Sequence, residues 1–325
     1  MKKIILAAMA FAALAACSKE TTVDVAREEI AFGNAFVDNS TKAATATDPS
    51  YSTTGTKGVA LTHFNVYGAV NDVNIFDGDN VTKGNAGYGA AWTHDGAKQY
   101  WIAGAPYKFV GVVDGSKTGV TEIDFDEAGL PESITYTADG ATDLLCDVVN
   151  IASASASQGI VAFNYTHLLS KINFAVKNTT DASATNYRFV LTSAKLTNVF
   201  KNAVYGVDAD AWTTDDSDEN KREFVLENLT INSAATQYHP QDVLLIPGSK
   251  VGVYVKANIE ASDDNGNTWE VVSAVEKTFT EVVTLAKATA YNFIVELCVG
   301  NEIQFTATEM AEWIDGDGDD NTVLK

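Results

Sequence analysis

Positive charge is scarce in this chain. Lys and Arg number 22 against 43 Asp and Glu, for a net charge of -21 over 325 residues. Beyond the first residues no basic run occurs, and phosphate backbones are bound by clustered Lys or Arg. Nucleic acid is therefore not expected as a partner. Long apolar runs are missing as well. After residue 17 none approaches the ~18 residues that a spanning helix needs. The four histidines, His63, His94, His167 and His239, are scattered and lie near no Cys or acid at metal-ligand spacing. They read as structural or surface residues. There is no nucleophile elbow and no phosphate loop. These absences leave no catalytic set, so the expectation is a protein that is not an enzyme and has no cofactor or metal. Only three cysteines occur. Cys146 and Cys298 sit in apolar stretches and read as buried thiols, with a disulfide between them as the alternative.

What is present is alternation. Hydrophobic residues make up 46% of the chain, enough for real cores. Ile172, Phe174 and Val176 alternate with Asn173, Ala175 and Lys177. Val251, Val253, Val255, Ala257 and Ile259 do the same, as do Phe64 with Val66 and Ile303 with Phe305 and Ala307. Period two is the mark of half-buried strands. Turn signals separate them at Asp77-Gly78-Asp79-Asn80, Asp95-Gly96, Asp114-Gly115, Asp139-Gly140, Pro247-Gly248 and Asp264-Asn265-Gly266-Asn267. Only Asp143 to Asp147 and Met310 to Trp313 suit a helical turn. Many short strands with regular turns predict an all-β sandwich or barrel, and the length suggests about two domains. Residues 38–58 are small and polar and read as an exposed loop. Residues 151–159 read as a connector. The strands Ile160–Tyr165 and Lys171–Val176 would then open a second domain.

The amino terminus carries its own signal. Lys2 and Lys3 precede a short apolar run, Ile4 to Ala13, followed by Leu14, Ala15, Ala16 and Cys17. A basic start, a short apolar core and small residues describe a secretory signal peptide. The Leu-Ala-Ala-Cys end resembles the lipobox of bacterial lipoproteins. That resemblance implies export, acylation of Cys17 (palmitate or a similar chain) and anchoring by lipid. One chain holds only marginally, at about 0.8 kcal/mol per buried methylene, so several are needed.

Two other runs invite a ligand. Asp315, Asp317 and Asp319 alternate in Asp315–Asn321 and could offer oxygens to calcium. Asp320 replaces the turn glycine and no bidentate Glu follows, so a solvated acidic turn is the preferred reading. Trp92, Tyr100, Trp101, Tyr107 and Phe109 could stack on a carbohydrate. Aromatic residues in strands more often pack on an opposite sheet, so they read as core.

Several segments in order resemble the fimbrillins of Bacteroidia type V pili. They are Cys17-Ser-Lys, Glu29-Ile30-Ala31-Phe32-Gly33, Thr41-Lys42-Ala43, and Trp101 to Phe109. Val161 to Ile172, Val243 to Pro247, Leu285 to Phe293 and Phe305 to Asp315 complete the series. The resemblance implies two tandem β-sandwiches of transthyretin-like, Greek-key type. Residues 1–16 would be the signal peptide and 17–42 a propeptide holding a removable first strand. The two sandwiches would span 43–159 and 160–325. It also implies a mechanism. A lipidated precursor reaches the outer membrane, and a surface protease cuts after Lys42, before Ala43. The strand bearing Ile30, Phe32 and Phe36 then leaves. The C-terminal strand of another subunit, bearing Ile303, Phe305 and Ala307, fills the gap. The family favours Arg at the cut, and this chain has Lys. The implied partners are other fimbrial subunits, the outer membrane through lipid, a surface protease and a host protein or glycan receptor. The implied location is first the outer membrane, then a cell-surface fimbria. Stalk, tip and anchor roles remain open, and a lipid-anchored glycan-binding protein is the competing function.

Overall fold

The computed structural model describes residues 27–37, 61, 63–83, 92–113, 119–226, 229–232, 234–263 and 266–310. Among them the chain is all β, with no α-helix and one 3-10 turn at Asp218–Asn220. The run Asp143 to Asp147, expected to suit a helical turn, instead enters the strand Leu145–Ile151. The β-branched Val148, Val149 and Ile151 favour a strand there.

Four sheets carry the fold. The first has seven strands: β1 (Ala31–Val37), β2 (His63–Val70), β3 (Val73–Lys83), β4 (Trp92–His94), β5 (Tyr107–Val113), β8 (Leu145–Ile151) and β9 (Ile160–His167). Their spatial order is β1-β9-β8-β5-β2-β3-β4. The second joins β6 (Val120–Phe125) and β7 (Pro131–Thr137) to β12 (Asn202–Gly206) and β13 (Ala211–Thr214), in the order β13-β12-β7-β6.

The remaining two sheets hold most of the C-terminal half. One runs β14 (Lys221–Leu226), β11 (Tyr187–Phe200), β18 (Lys250–Ala261), β19 (Glu270–Thr284), with β15 (Thr230–Asn232) also on β11. The other runs β16 (Thr236–Tyr238), β10 (Ser170–Asn178), β20 (Ala290–Leu297), β21 (Gln304–Glu309), with β17 (Val243–Leu245) also on β10. Ile172, Phe174 and Val176 face Val251, Val253, Val255, Ala257 and Ile259 in one apolar core, as their alternation requires. β18 and β19 form the hairpin expected around Asn265-Gly266.

Two expectations fail in detail. Asp77–Asn80 is not a turn, because β3 runs through it. Gly78 takes φ 81° and bulges out, so that Val66 pairs with Asp79 but Tyr67 with Asp77. The reversal lies earlier, at Asn71 and Asp72, both at positive φ as a primed hairpin turn needs. The pair Ile160–Tyr165 and Lys171–Val176 is also divided. β9 adds to the first sheet beside β8, and β10 lies in a C-terminal sheet. Val161, Phe163 and Tyr165 pack with Phe64 and Phe109, so β9 follows its apolar side chains into the N-terminal core. The connecting Leu168 and Leu169 turn into a middle core with Tyr136, Phe200, Leu244 and Ala290. With β12 pairing on β7, backbone ladders cross the 159/160 position more than once.

The turn after β12 is held from two sides. Lys108 of β5 donates to Asp208 at 2.6 Å, and Lys287 donates to Asp210. Tyr205 also donates to Asp210, at 2.5 Å.

Candidate functional site

The segment 28–33 lies inside the N-terminal core rather than on it. β1 pairs with β9, matching Ala31 to Ile160, Phe32 to Val161 and Gly33 to Ala162. This ladder is parallel, whereas every other ladder in the first sheet is antiparallel. The other side of the segment is bonded too. Ile30 N–H donates to the Gln99 carbonyl at 2.8 Å, and Trp101 N–H donates to the Glu28 carbonyl at 3.0 Å. Glu29 and Tyr100 form the bridge between these bonds.

Alternation then sends Ile30 and Phe32 inward, where they are 1% and 4% exposed. Phe32 sits in an aromatic nest. Its ring centroid lies 5.1 Å from that of Phe76, 6.1 Å from Phe109, and 6.4 Å from both Phe64 and Phe163. The His94 ring stands edge-on at 5.8 Å, and its Nδ1 lies 3.4 Å from Asp79. Burial of Ile30 and Phe32 contributes about 1.5–3 kcal/mol each.

At the rim, Glu29 accepts a bond from Lys98 at 2.6 Å. That bond, with the attraction of the Glu29 charge, raises the Lys98 pKa above its ordinary value. Exposed apolar side chains flank the segment: Tyr100, bridged to Glu29, is 44% exposed and Ile160, paired with Ala31, is 49% exposed. Nothing in the local pattern announces Lys98 or the 99–101 segment. The Glu29–Lys98 pair joins residues 69 positions apart and appears only once the chain has folded.

The expected first-strand residues Ile30 and Phe32 are thus brought together in one core. Phe36 pairs through its backbone with Asn164, and its side chain lies outside the described residues. Cys17, Lys42 and Ala43 also lie outside them, as does the run Asp315–Asn321. The expected C-terminal strand is β21. It pairs antiparallel with β20 at the edge of its sheet, matching Phe305 to Val295 and Ala307 to Phe293. Ile303 is 5% exposed in the C-terminal core. Phe305 packs on Phe279 and Phe293, each with centroids 5.3 Å away. Glu302 meets Lys277 at 3.2 Å.

The aromatic group is mostly internal. Trp101, Tyr107 and Phe109 are buried, Trp92 is half-buried, and only Tyr100 is exposed. Trp101 Nε1 donates to the Gly159 carbonyl at 3.2 Å. A flat stacking platform for sugars is therefore not formed by the five. Cys146 and Cys298 are unpaired with each other, as free thiols. His167 is buried against Asp143 at 2.5 Å, and His239 Nδ1 lies 2.6 Å from the Gln241 carbonyl within its own loop. No group of three or more potential metal ligands occurs among the described residues, and no helix among them is long and apolar enough to cross a membrane.

The same fold occurs in solved structures. A fimbrial protein from Bacteroides vulgatus ATCC 8482 superposes with a TM-score of 0.56 at 15% identity, over 87% of this chain and 98% of that one. A candidate cell adhesion protein from Bacteroides uniformis ATCC 8492 gives 0.53 at 12% identity, over 87% and 97%. Another from Bacteroides ovatus ATCC 8483 gives 0.50 at 13% identity, over 90% and 100%. No curated protein matches the chain by sequence. A family model described as fimbrillin-like matches residues 31–313.

Proposed function

We propose that this chain, which belongs to the fimbrillin-like family, is a structural pilin subunit that polymerises by exchange of strands at the cell surface. The observation that carries this reading is the segment 28–33. It is bonded on both sides and fills a core with Ile30 and Phe32, and its strand β1 comes first in chain order among the described strands. Its loss would leave the order of the other described strands unchanged. Its departure uncovers Phe64, Phe76, Phe109 and Phe163 together, and such a row of apolar side chains beside an unpaired ladder is a template for another strand. A strand supplied by the next copy makes a contact that does not close on itself, and so gives a filament.

The remaining steps obey the same logic. Cys17 is the acylation site that holds the precursor at the outer membrane. A surface protease cuts after Lys42, in the small, polar stretch 38–58. This removes five basic and five acidic residues and leaves the net charge at -21. The donor is the strand bearing Ile303, Phe305 and Ala307. The fibre serves adhesion, and the chain carries no catalytic role.

N-terminal sequencing of the chain taken from assembled fibres tests this reading. The expected first residue is Ala43. A start at Cys17 on fibres would contradict processing and favour an anchor subunit or an unprocessed surface protein. Cys17→Ala should abolish labelling by a fatty-acid analogue, and undiminished label would place the lipid elsewhere.

A further inference from the structure

Residues 29–32 read Glu-Ile-Ala-Phe, and residues 302–305 read Glu-Ile-Gln-Phe. The two stretches are placed alike. In each the Ile and the Phe turn into a core: Ile30 and Phe32 in the N-terminal one, Ile303 and Phe305 in the C-terminal one. In each the Glu reaches a lysine at the rim, Lys98 for Glu29 and Lys277 for Glu302. In each the Phe packs on other phenylalanine rings.

They differ in how well they are held. Residues 28–33 are bonded on one side by β9 and on the other by 99–101, and Phe32 is 4% exposed. Among the described residues, strand β21 is bonded on one side only, by β20, and Phe305 is half-buried. The same side-chain pattern thus occupies a better-enclosed site near the amino terminus than it does at its own sheet edge.

Resting on the strand-exchange reading above, we infer that residues 302–307 of a second copy take the place of residues 29–34 in matched register. Glu302 lands on Lys98, Ile303 where Ile30 was, and Phe305 among Phe64, Phe76, Phe109 and Phe163. The strand runs parallel to β9 of the acceptor, as β1 does, with Gln304 beside Ile160, Phe305 beside Val161 and Thr306 beside Ala162. Charge selects this register as well as shape. Departure of the first strand leaves Lys98 without Glu29, and an incoming Glu one residue before the Ile restores the pair. Thr306 falls at Gly33, where a Cβ would lie 3.3 Å from Ile160 Cδ1. That contact is with the end of a half-exposed side chain, which has room to turn outward. The transfer exchanges the β20 ladder for the β9 ladder and the bridge to 99–101.

The test uses two full-length chains, each with one added cysteine: Ile160→Cys as acceptor and Gln304→Cys as donor. Ile160 is half-exposed and Gln304 exposed, so both substitutions spare the cores. The chains are mixed, processed by limited trypsin, mildly oxidised and run on a non-reducing gel beside the wild-type mixture. The expected result is a reducible cross-linked ladder, stronger by about tenfold or more than that from Thr306→Cys with Ile160→Cys. A two-residue slip moves the pair by about 7 Å, beyond disulfide reach. A polymer that cross-links better through Thr306→Cys, or through neither, overturns the register and leaves strand exchange standing. Failure of the processed wild-type chain to ladder at all overturns both. A charge arm adds a second readout. Lys98→Glu alone and Glu302→Lys alone should each slow laddering several-fold, and mixing acceptor Lys98→Glu with donor Glu302→Lys should restore it. Equal rates in all four combinations would remove the charge match from the proposal.

Discussion

Phe32 meets Phe76 edge to face, with centroids 5.1 Å apart and planes at 75°. One ring belongs to the proposed removable strand and the other to the wall that stays. Such pairs add about 0.5–1.5 kcal/mol beyond the area they bury. On the proposed reading, a strand held in this way would not be released by thermal fraying and would need a cut chain.

Phe32→Ala should accordingly destabilise the unprocessed chain by about 3–5 kcal/mol, the usual cost of truncating a fully buried ring. Phe305→Ala, at a half-exposed edge, should cost less. Urea denaturation of the two variants checks the order. A Phe32→Ala cost below that of Phe305→Ala would show that the nest does not hold the first strand.

Gly111 on β5 and Tyr165 on β9 form a second tight relationship. A Cβ at Gly111 would lie 2.2 Å from the Tyr165 hydroxyl oxygen. That hydroxyl is buried and has no hydrogen-bond partner among the described residues. Gly111→Ala should cost about 1–3 kcal/mol by overpacking. Tyr165→Phe should be neutral or stabilising, since it removes an unsatisfied buried group. Gly111→Ala should then be better tolerated on the Tyr165→Phe background. Simple additivity in a thermal-unfolding cycle would contradict this.

The two described thiols should differ in reactivity. Burial pushes the Cys146 pKa up to about 12, with the Asp147 charge adding to it. Cys298 is less enclosed. Since the thiolate is the reactive form, a chromogenic thiol reagent at about pH 8 should label Cys298 in the folded chain and Cys146 only after denaturation. Fast labelling of Cys146 in the native chain would show that its stretch of β8 opens.

Asp147 supplies a pH test. Burial raises its carboxyl pKa, against bonds donated by the backbone N–H groups of Asn164 at 2.7 Å and Val148 at 2.8 Å, which lower it. A raised folded-state value means that the folded chain holds the proton more tightly than the unfolded one. The contribution is therefore full below the unfolded value of 3.8 and is lost as pH rises through the folded value. Asp147→Asn should remove that dependence. The melting temperature of the variant minus that of the wild type should rise between strongly acidic and neutral pH. A constant difference would mean that Asp147 titrates normally.

Much of this fold was legible because alternation is local. Ile172, Phe174 and Val176 name their own inward face, and so do Val251 to Ile259. Ile30 and Phe32 were reached instead through the resemblance to fimbrillins. The fate of β9 was not, because Val161, Phe163 and Tyr165 fit any apolar sheet, and only Phe64 and Phe109 decide which. The Asp77–Asn80 signal misled because aspartate and glycine suit a bulge as well as a turn, and Gly78 makes the bulge. Lys98 was invisible because its partner is distant in sequence and nothing nearby marks an exposed lysine as special.

The parallel sense of the β1–β9 ladder bears on the stiffness of a fibre. In the proposed exchange, an incoming strand in that sense would enter with its amino-terminal end near Tyr100 and Ile160, which flank the segment 28–33. Residues 298–303 would tether that end to β20 of the donor, bringing the donor's body close to those exposed apolar side chains. A joint made of one strand alone would swivel. A joint whose mouth is ringed by apolar contacts would resist bending, so the rigidity of such a filament would be set as much by the collar around the socket as by the plug within it.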